Sequence, residues 1–382
     1  MRKQPAYPAD SCGHRQAGTW RIGALFTAVF GLAILLTGCA QHGPDLVKAG
    51  RNDYNRVLVQ TDDEEQLLNL VRLRYSDSMM MLQVSSVSTS FTWSQSATAE
   101  AFKFEPSSDR SNVGVRGNLG YAERPTVTYT PLGGKDFVEN LLTPVELNSL
   151  LLLGRSGWSI ERLLRVMVDR ANGLPNAQEA SGPTPLRAPK YKNFIRVAKL
   201  LQILQERDAM TGGYRHMDDK QVPAVHIEHS AMGSDEVHEL YTLLGLQPGL
   251  EIIGLDGRGR RQRPDAIGIQ MRPLIGIMFF LAHAVEVPQR DQAAGRVTVT
   301  RDGDGQPFDW SRVTGDLLVI KSQAEQPANA AVAVPYRGSW FYIDDSDMNS
   351  KNTFMLLGAL TALQSGSIER SGPLLTLPVT GQ

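Results

Sequence analysis

The chain has 382 residues, 42% hydrophobic and 21% charged, with 39 Lys and Arg against 40 Asp and Glu and a formal net charge of −1. That profile excludes a disordered chain and a polytopic membrane protein, and the near balance of charge argues against a protein built to neutralise phosphates, so nucleic acid is not an expected partner. The length supplies two or three domains' worth of chain and ample material for a core.

Arg2, Lys3, Arg15 and Arg21 outweigh the single acid Asp10 at the start, and an uncharged stretch from Ile22 to Gly38 follows, the layout of a signal peptide over residues 1–38. The stretch falls short of the roughly 20 residues that cross a bilayer as a helix. It ends in Leu36-Thr37-Gly38-Cys39, which resembles the lipobox of bacterial lipoprotein precursors. The resemblance implies that Cys39 is acylated, for example with palmitate, and anchors the chain in a lipid bilayer. Ala40 follows where that family uses Asp to retain proteins at the inner membrane, which implies the outer membrane, with a periplasmic body. Cys12 and Cys39 are the only cysteines, so the processed chain has no disulfide.

Residues 39–60 read as a tether. Thr61-Asp62-Asp63-Glu64 has capping-box spacing and predicts a helix start, with Leu67, Leu68, Leu70, Val71 and Leu73 forming its buried stripe. From Ser85 the period changes to two: Val87, Thr89, Phe91 and Trp93 alternate with Ser and Thr, and after a turn-rich stretch Val115, Leu119, Tyr121, Val127 and Tyr129 continue the pattern. This predicts a long antiparallel hairpin, 84–104 with 112–130. Thr143-Pro144-Val145-Glu146 is a second capping box, and Trp158-Ser159 opens a helix from Ile160 to Ala171. The stretch 174–189, with Pro175, Pro183, Pro185 and Pro189, is the expected linker between a helical domain carrying the hairpin, 61–173, and an α+β domain, 190–382.

Beyond it, Tyr191 to Arg207 predicts a helix, Val222 to His229 a strand, and Ser234 the cap of a helix ending at Leu244. Strands are expected at 250–255, 266–271, 296–300, 316–321, 331–335 and 340–343, a buried helix at 274–285 and a last helix at 347–363. The clusters of helices and strands lack a steady βα alternation, so the predicted fold class is α+β.

Three stretches, Glu65 to Tyr75, Ser156 to Arg162 and Tyr336 to Asp345, are similar to segments of uncharacterised proteobacterial envelope lipoproteins. The resemblance implies an envelope location and assigns no catalytic residue. His226, Glu228 and His229, with Glu236 and His238 nearby, are the densest group of metal-ligand types, yet HExxH is absent and no catalytic motif is present. No metal or cofactor is expected. Asp302-Gly303-Asp304-Gly305 lacks the remaining acids of a calcium loop and reads as a turn. Arg258, Arg260, Arg261 and Arg263 form one basic loop, a contact for a phosphate headgroup or acidic surface, or a solvated hairpin tip.

The expected function is therefore that of a non-enzymatic binding or scaffold subunit in an envelope export or assembly system, partnered by other envelope proteins. Phe91, Trp93, Tyr121 and Tyr129 mark the hairpin as its interaction element. The two-faced hairpin exceeds the 9–11 residues of a membrane-spanning strand, so an alternative is a subunit of an oligomeric outer-membrane pore. The same alternation also describes a half-buried sheet packed on helices. An envelope hydrolase around His226, Glu228 and His229 is the third reading.

Overall fold

The computed structural model describes residues 42–100, 114–131, 133, 135–217, 220–257 and 263–365. Leu36, Thr37, Gly38, Cys39, Arg258, Arg260 and Arg261 lie outside them. The chain divides into two units, residues 1–61 and 62–382.

Helix α1, His42–Arg74, begins well before the predicted start at Thr61 and takes in most of the expected tether. Within this helix no proline follows Pro44 to break it, and it runs on through Thr61, which is therefore not a cap. Its hydroxyl donates to the Leu58 carbonyl at 2.9 Å, the back-bond of a Thr inside a helix. In the larger unit, Leu67, Leu70, Val71 and Leu73 are buried, as the stripe predicted.

Strands β1, Leu82–Glu100, and β2, Gly114–Pro131, pair antiparallel and make a two-stranded sheet of their own. Helices α2, Lys135–Leu142, and α3, Leu147–Arg155, follow. The second capping box does not cap: Glu146 holds the N-cap position without a side-chain bond, and the Thr143 hydroxyl donates to Glu139 O at 2.7 Å. Pro144 instead bridges to Pro273, and Val145 N–H donates to Arg272 O, so tertiary pairing sets this helix start. Ser159 does cap α4, Ile160–Met167, through the Arg162 amide. That helix stops four residues short of its expected end, because β3, Val168–Ala171, pairs with β8.

After β4, Leu174–Pro175, come α5, Lys192–Glu206, then β5, Met210–Met217, and β6, Lys220–Ile227. Helix α6, Asp235–Leu244, is capped by Ser234 as predicted and ends at Gly245 in the left-handed region. Strands β7, Ile252–Asp256, and β8, Ala266–Met271, complete a six-stranded sheet of order β4-β3-β8-β7-β6-β5, antiparallel except for β7 with β8. The buried helix α7, Leu274–Ala282, follows, then short α8, Gln289–Ala293, and α9, Ser311–Thr314. Strands β9, Lys321–Gln323, β10, Ala330–Tyr336, and β11, Ser339–Asp344, form a three-stranded sheet before α10, Met348–Ser365. The fold class is α+β.

Two expectations are corrected here. Residues 296–300 form no strand, and the Thr300 hydroxyl instead donates to Pro185 O at 2.6 Å. The stretch 174–189 is not a spacer: Ala177 and Ala180 are fully buried, and β3 before it neighbours β8 after it in one sheet. Proline richness here leaves the segment few ladder bonds, those of β4 and of a bridge between Arg187 and Arg301, and buried side chains take further polar groups. Arg272, fully buried, donates to the carbonyls of Arg165 at 2.8 Å, Val166 at 3.1 Å and Asn176, and through Nε to Ser181 Oγ at 2.8 Å. Ser181 in turn donates to Asp169 at 2.8 Å, and Asn176 Nδ2 donates to the carbonyls of Arg165 at 2.9 Å and Val168 at 2.7 Å.

Candidate functional site

The β1–β2 ribbon is the element whose partner the fold leaves open. Its register is continuous from Ser86 opposite Thr128 to Glu100 opposite Gly114, with one shift between Val84 and Ser86. Odd positions therefore face odd positions: Val87 lies opposite Val127, Trp93 opposite Tyr121, and Ala99 opposite Val115. Phe91 shares this face, opposite Glu123. The even face collects Ser88 with Thr126, Ser94 with Gly120, Ser96 with Asn118 and Thr98 with Arg116. A slip of one residue would mix the two faces, so the alternation in both strands specifies the observed pairing. Tyr129, nearer the root opposite Val84, is about half exposed at 49%. Among the described residues, the extensive packing of each strand is with the other.

The root of the ribbon is built from side chains that no sequence motif marked. Asn69, buried on α1, clamps the Met80 backbone from both sides, with Nδ2 donating to its carbonyl at 2.7 Å and Oδ1 accepting its amide at 3.1 Å. One residue into β1, the Leu82 amide donates to Glu65 Oε1 at 2.8 Å. Burial raises the Glu65 carboxyl above its ordinary range, and the Leu82 amide partly offsets that by favouring the charged form.

The loop between α1 and the ribbon is held from the other side by the β10–β11 turn. Asp77 accepts from the Tyr336 hydroxyl and from Arg337 Nη2 at 2.8 Å, and those bonds hold its carboxyl below the usual range. Arg337, at φ 47°, lies over the rings of Tyr75 and Tyr336 at 5.3 and 5.5 Å. The Tyr75 hydroxyl donates to Asp291 Oδ2 at 2.6 Å, and Arg296 closes on Asp291 Oδ1 at 2.6 Å. Burial by itself would raise the Asp291 carboxyl, yet these two bonds outweigh it and leave the group below its ordinary value. Arg290 ties the turn down through Gly338 O at 2.7 Å and Ser339 Oγ at 2.6 Å.

Two of the three stretches singled out in the sequence, 65–75 and 336–345, thus meet at the root through Tyr75, Tyr336 and Arg337. The third lies against α10, where Arg162 donates to Asn349 O at 2.7 Å and Oδ1 at 3.0 Å. That convergence was the available signal, and it became readable only in three dimensions.

The remaining sequence candidates are dispersed. His226 faces Glu228 at 3.5 Å, His229 reaches Glu251 at 2.5 Å and is 91% exposed, and His238 bonds its own helix start at Ser234 O. Among the described residues no three His, Cys, Asp or Glu side chains converge where a metal ion would be held. Arg263 is committed to Asp265 through Nε at 2.9 Å and Nη2 at 3.0 Å. Among the described residues no helix is long and apolar enough to cross a membrane. Comparison of the chain with protein-family models, curated proteins and solved structures finds no match.

Proposed function

We propose that this protein is an outer-membrane-anchored lipoprotein, held by acylated Cys39, whose periplasmic body is a non-enzymatic binding subunit of an envelope export or assembly system. The observation that carries the reading is the ribbon: strands of 19 and 18 residues that form a two-stranded sheet of their own and are clamped at the root. An isolated two-stranded sheet is at best marginal in water, so an arm of this length gains its stability from what it docks against. Its odd face, with Val87, Phe91, Trp93, Leu119 and Tyr121 by register, suits an apolar partner surface, and another envelope protein is the partner of this reading.

A second reading has a specific observation in its favour. Each strand exceeds the roughly 9–11 residues that cross a bilayer when tilted, and one face of the register is polar, mostly Ser, Thr, Gly and Asn with Glu100, Arg116 and Arg124. Copies of the chain that each donate a ribbon would close a barrel with that face toward water.

One experiment separates the two. The full chain is extracted in mild detergent with residues 84–129 intact or replaced by a short Gly turn, and its mass is measured by light scattering after crosslinking in cells. The binding reading expects a small particle in both forms, with a partner crosslink that is lost, together with the partner's mass, on deletion. A large ring that collapses on deletion makes it a pore subunit. A lone monomer that recovers nothing in either form refutes both.

A further inference from the structure

Between the helices α3, α4, α5 and α6 and one face of the six-stranded sheet, the core leaves a cavity of about 150 Å³. Its deep wall is aliphatic and aromatic: Leu164, Phe194, Val197, Leu255, Ile267 and Ile269, all nearly or fully buried. Interiors normally pack without voids of this size, and an empty one forfeits dispersion contacts with nothing in return. It is also too apolar to order water, which needs two to four polar partners.

The three polar lining residues stand in different conditions. Gln205 is fully used by the backbone, accepting from the Ile160 amide at 2.9 Å and donating to Trp158 O at 3.0 Å. Arg155, in the last turn of α3, and Thr211, on the edge strand β5, are exposed and mark the opening. Glycines flank that rim. A Cβ on Gly212 would come within 3.3 Å of Leu151 Cδ2, so β5 approaches α3 as closely as it does because that position carries no side chain. No hydrogen bond or ion pair engages the Arg155 guanidinium among the described residues.

We infer that this cavity binds one hydrocarbon chain of an anionic amphiphile, with the chain among the sheet and helix side chains and the head at Arg155. The chemistry is complementary at both ends: a dry aliphatic slot at one, and an unpaired guanidinium able to take a carboxylate or phosphate through two N–H groups at the other. The volume matches an engineered apolar cavity that stays dry and admits benzene, so the slot takes a chain of about six to eight carbons. The site lies apart from the ribbon and does not depend on the function proposed for it.

The test uses the full chain in nanodiscs, titrated calorimetrically with hexanoate, octanoate and decanoate, with decyl phosphate, decanol and inorganic phosphate as comparisons. Ala171→Phe, which fills the slot from β3, is measured in the same discs to remove partition into the bilayer. Saturable one-to-one binding is expected for the acids, tightening about fourfold per methylene up to octanoate and flattening beyond, since each buried methylene contributes a fixed increment. Arg155→Gln is expected to weaken the anions about tenfold and leave decanol unchanged. Decanoate binding equal to decyl phosphate assigns the head site to any anion, whereas preference for one identifies the source. Inorganic phosphate alone should not bind. Equal heats in wild type and a folded Ala171→Phe overturn the inference. If that variant does not fold, Val197→Phe replaces it. Should neither fold, hydrogen exchange decides: octanoate must protect 150–155 and 210–212 in the wild type, and unchanged exchange there overturns the inference.

Discussion

Replacing Arg272 by Met tests whether the stretch 174–189 is structural wall. Met keeps a straight, apolar stem but loses the guanidinium, whose carbon lies over Phe280 at 4.1 Å from the ring centroid. It removes the donors to Arg165 O, Val166 O, Asn176 O and Ser181 Oγ, and leaves Asp169, whose side chain is 7% exposed, without its cation at 3.6 Å. Breaking a buried pair by deleting one partner costs about 3–5 kcal/mol, a large share of the roughly 5–15 kcal/mol that holds a domain folded. Asp169→Asn removes the charge while the Ser181 bond survives, and should cost only about 1–2 kcal/mol. The double variant should recover part of the Arg272→Met loss, with a coupling of about 2 kcal/mol.

The pH dependence gives a signature that simple loss of packing lacks. Burial pushes the Asp169 carboxyl above its ordinary range, against the pull of Arg272, so the native state holds that proton more readily than the unfolded chain. A raised carboxyl contributes stability below the unfolded value near 3.8, and the contribution is lost as pH rises through the raised folded value. Without Arg272 the rise is larger, so Arg272→Met should be less destabilised at pH 5 than at pH 8. Urea denaturation of the full chain, followed by tryptophan fluorescence, reads both quantities. A loss below about 1 kcal/mol, or one identical at the two pH values, refutes this reasoning.

Three further outcomes follow from the geometry. His283, buried against Trp310 with its Nδ1 2.7 Å from Phe279 O, is pushed down to about 3 by burial first and by Arg74 second. The unfolded chain protonates near 6.5, so stability falls as pH drops from 6.5 toward 3, by at most about 1.4 kcal/mol per pH unit, and His283→Gln should flatten that slope in acid titrations. Asn69→Leu removes the clamp on Met80 and should cost about 1–2 kcal/mol, with faster hydrogen exchange at 80–84 and unchanged exchange in α5; exchange that rises evenly everywhere contradicts the local role. Ser159→Ala should cost more than Ser234→Ala, about 1.5 against about 1 kcal/mol, because Ser159 Oγ caps α4 and also bonds Gln202 at 2.7 Å; equal losses by thermal melts contradict this.

Short-range signals were legible where they agreed with their surroundings. Ser159 and Ser234 cap because each is itself non-helical and accepts the amide three residues on, and β1 and β2 pair antiparallel. Thr61 and Thr143 carry the same spacing and fail, since one lies inside a helix already under way and the other beside a bridge to Pro273. Strand β5, with Gly212 and Gly213 at its centre, was not foreseen: its own β propensity is weak, and it exists through pairing with β6 over its whole length.

The candidate site divides in the same way. Sequence by itself determined the two faces of the ribbon, because a period of two commits each residue to a side whatever lies nearby. It also supplied the apolar stripes of the helices, which need only local spacing. Tertiary structure decided that 174–189 is wall and that Asn69, Asp77 and Tyr336 anchor the ribbon. Those outcomes depend on groups up to 259 residues apart finding one another, as Tyr336 and Asp77 do. Hydrogen bonding and burial act on distance in space, and no spacing along the chain encodes them.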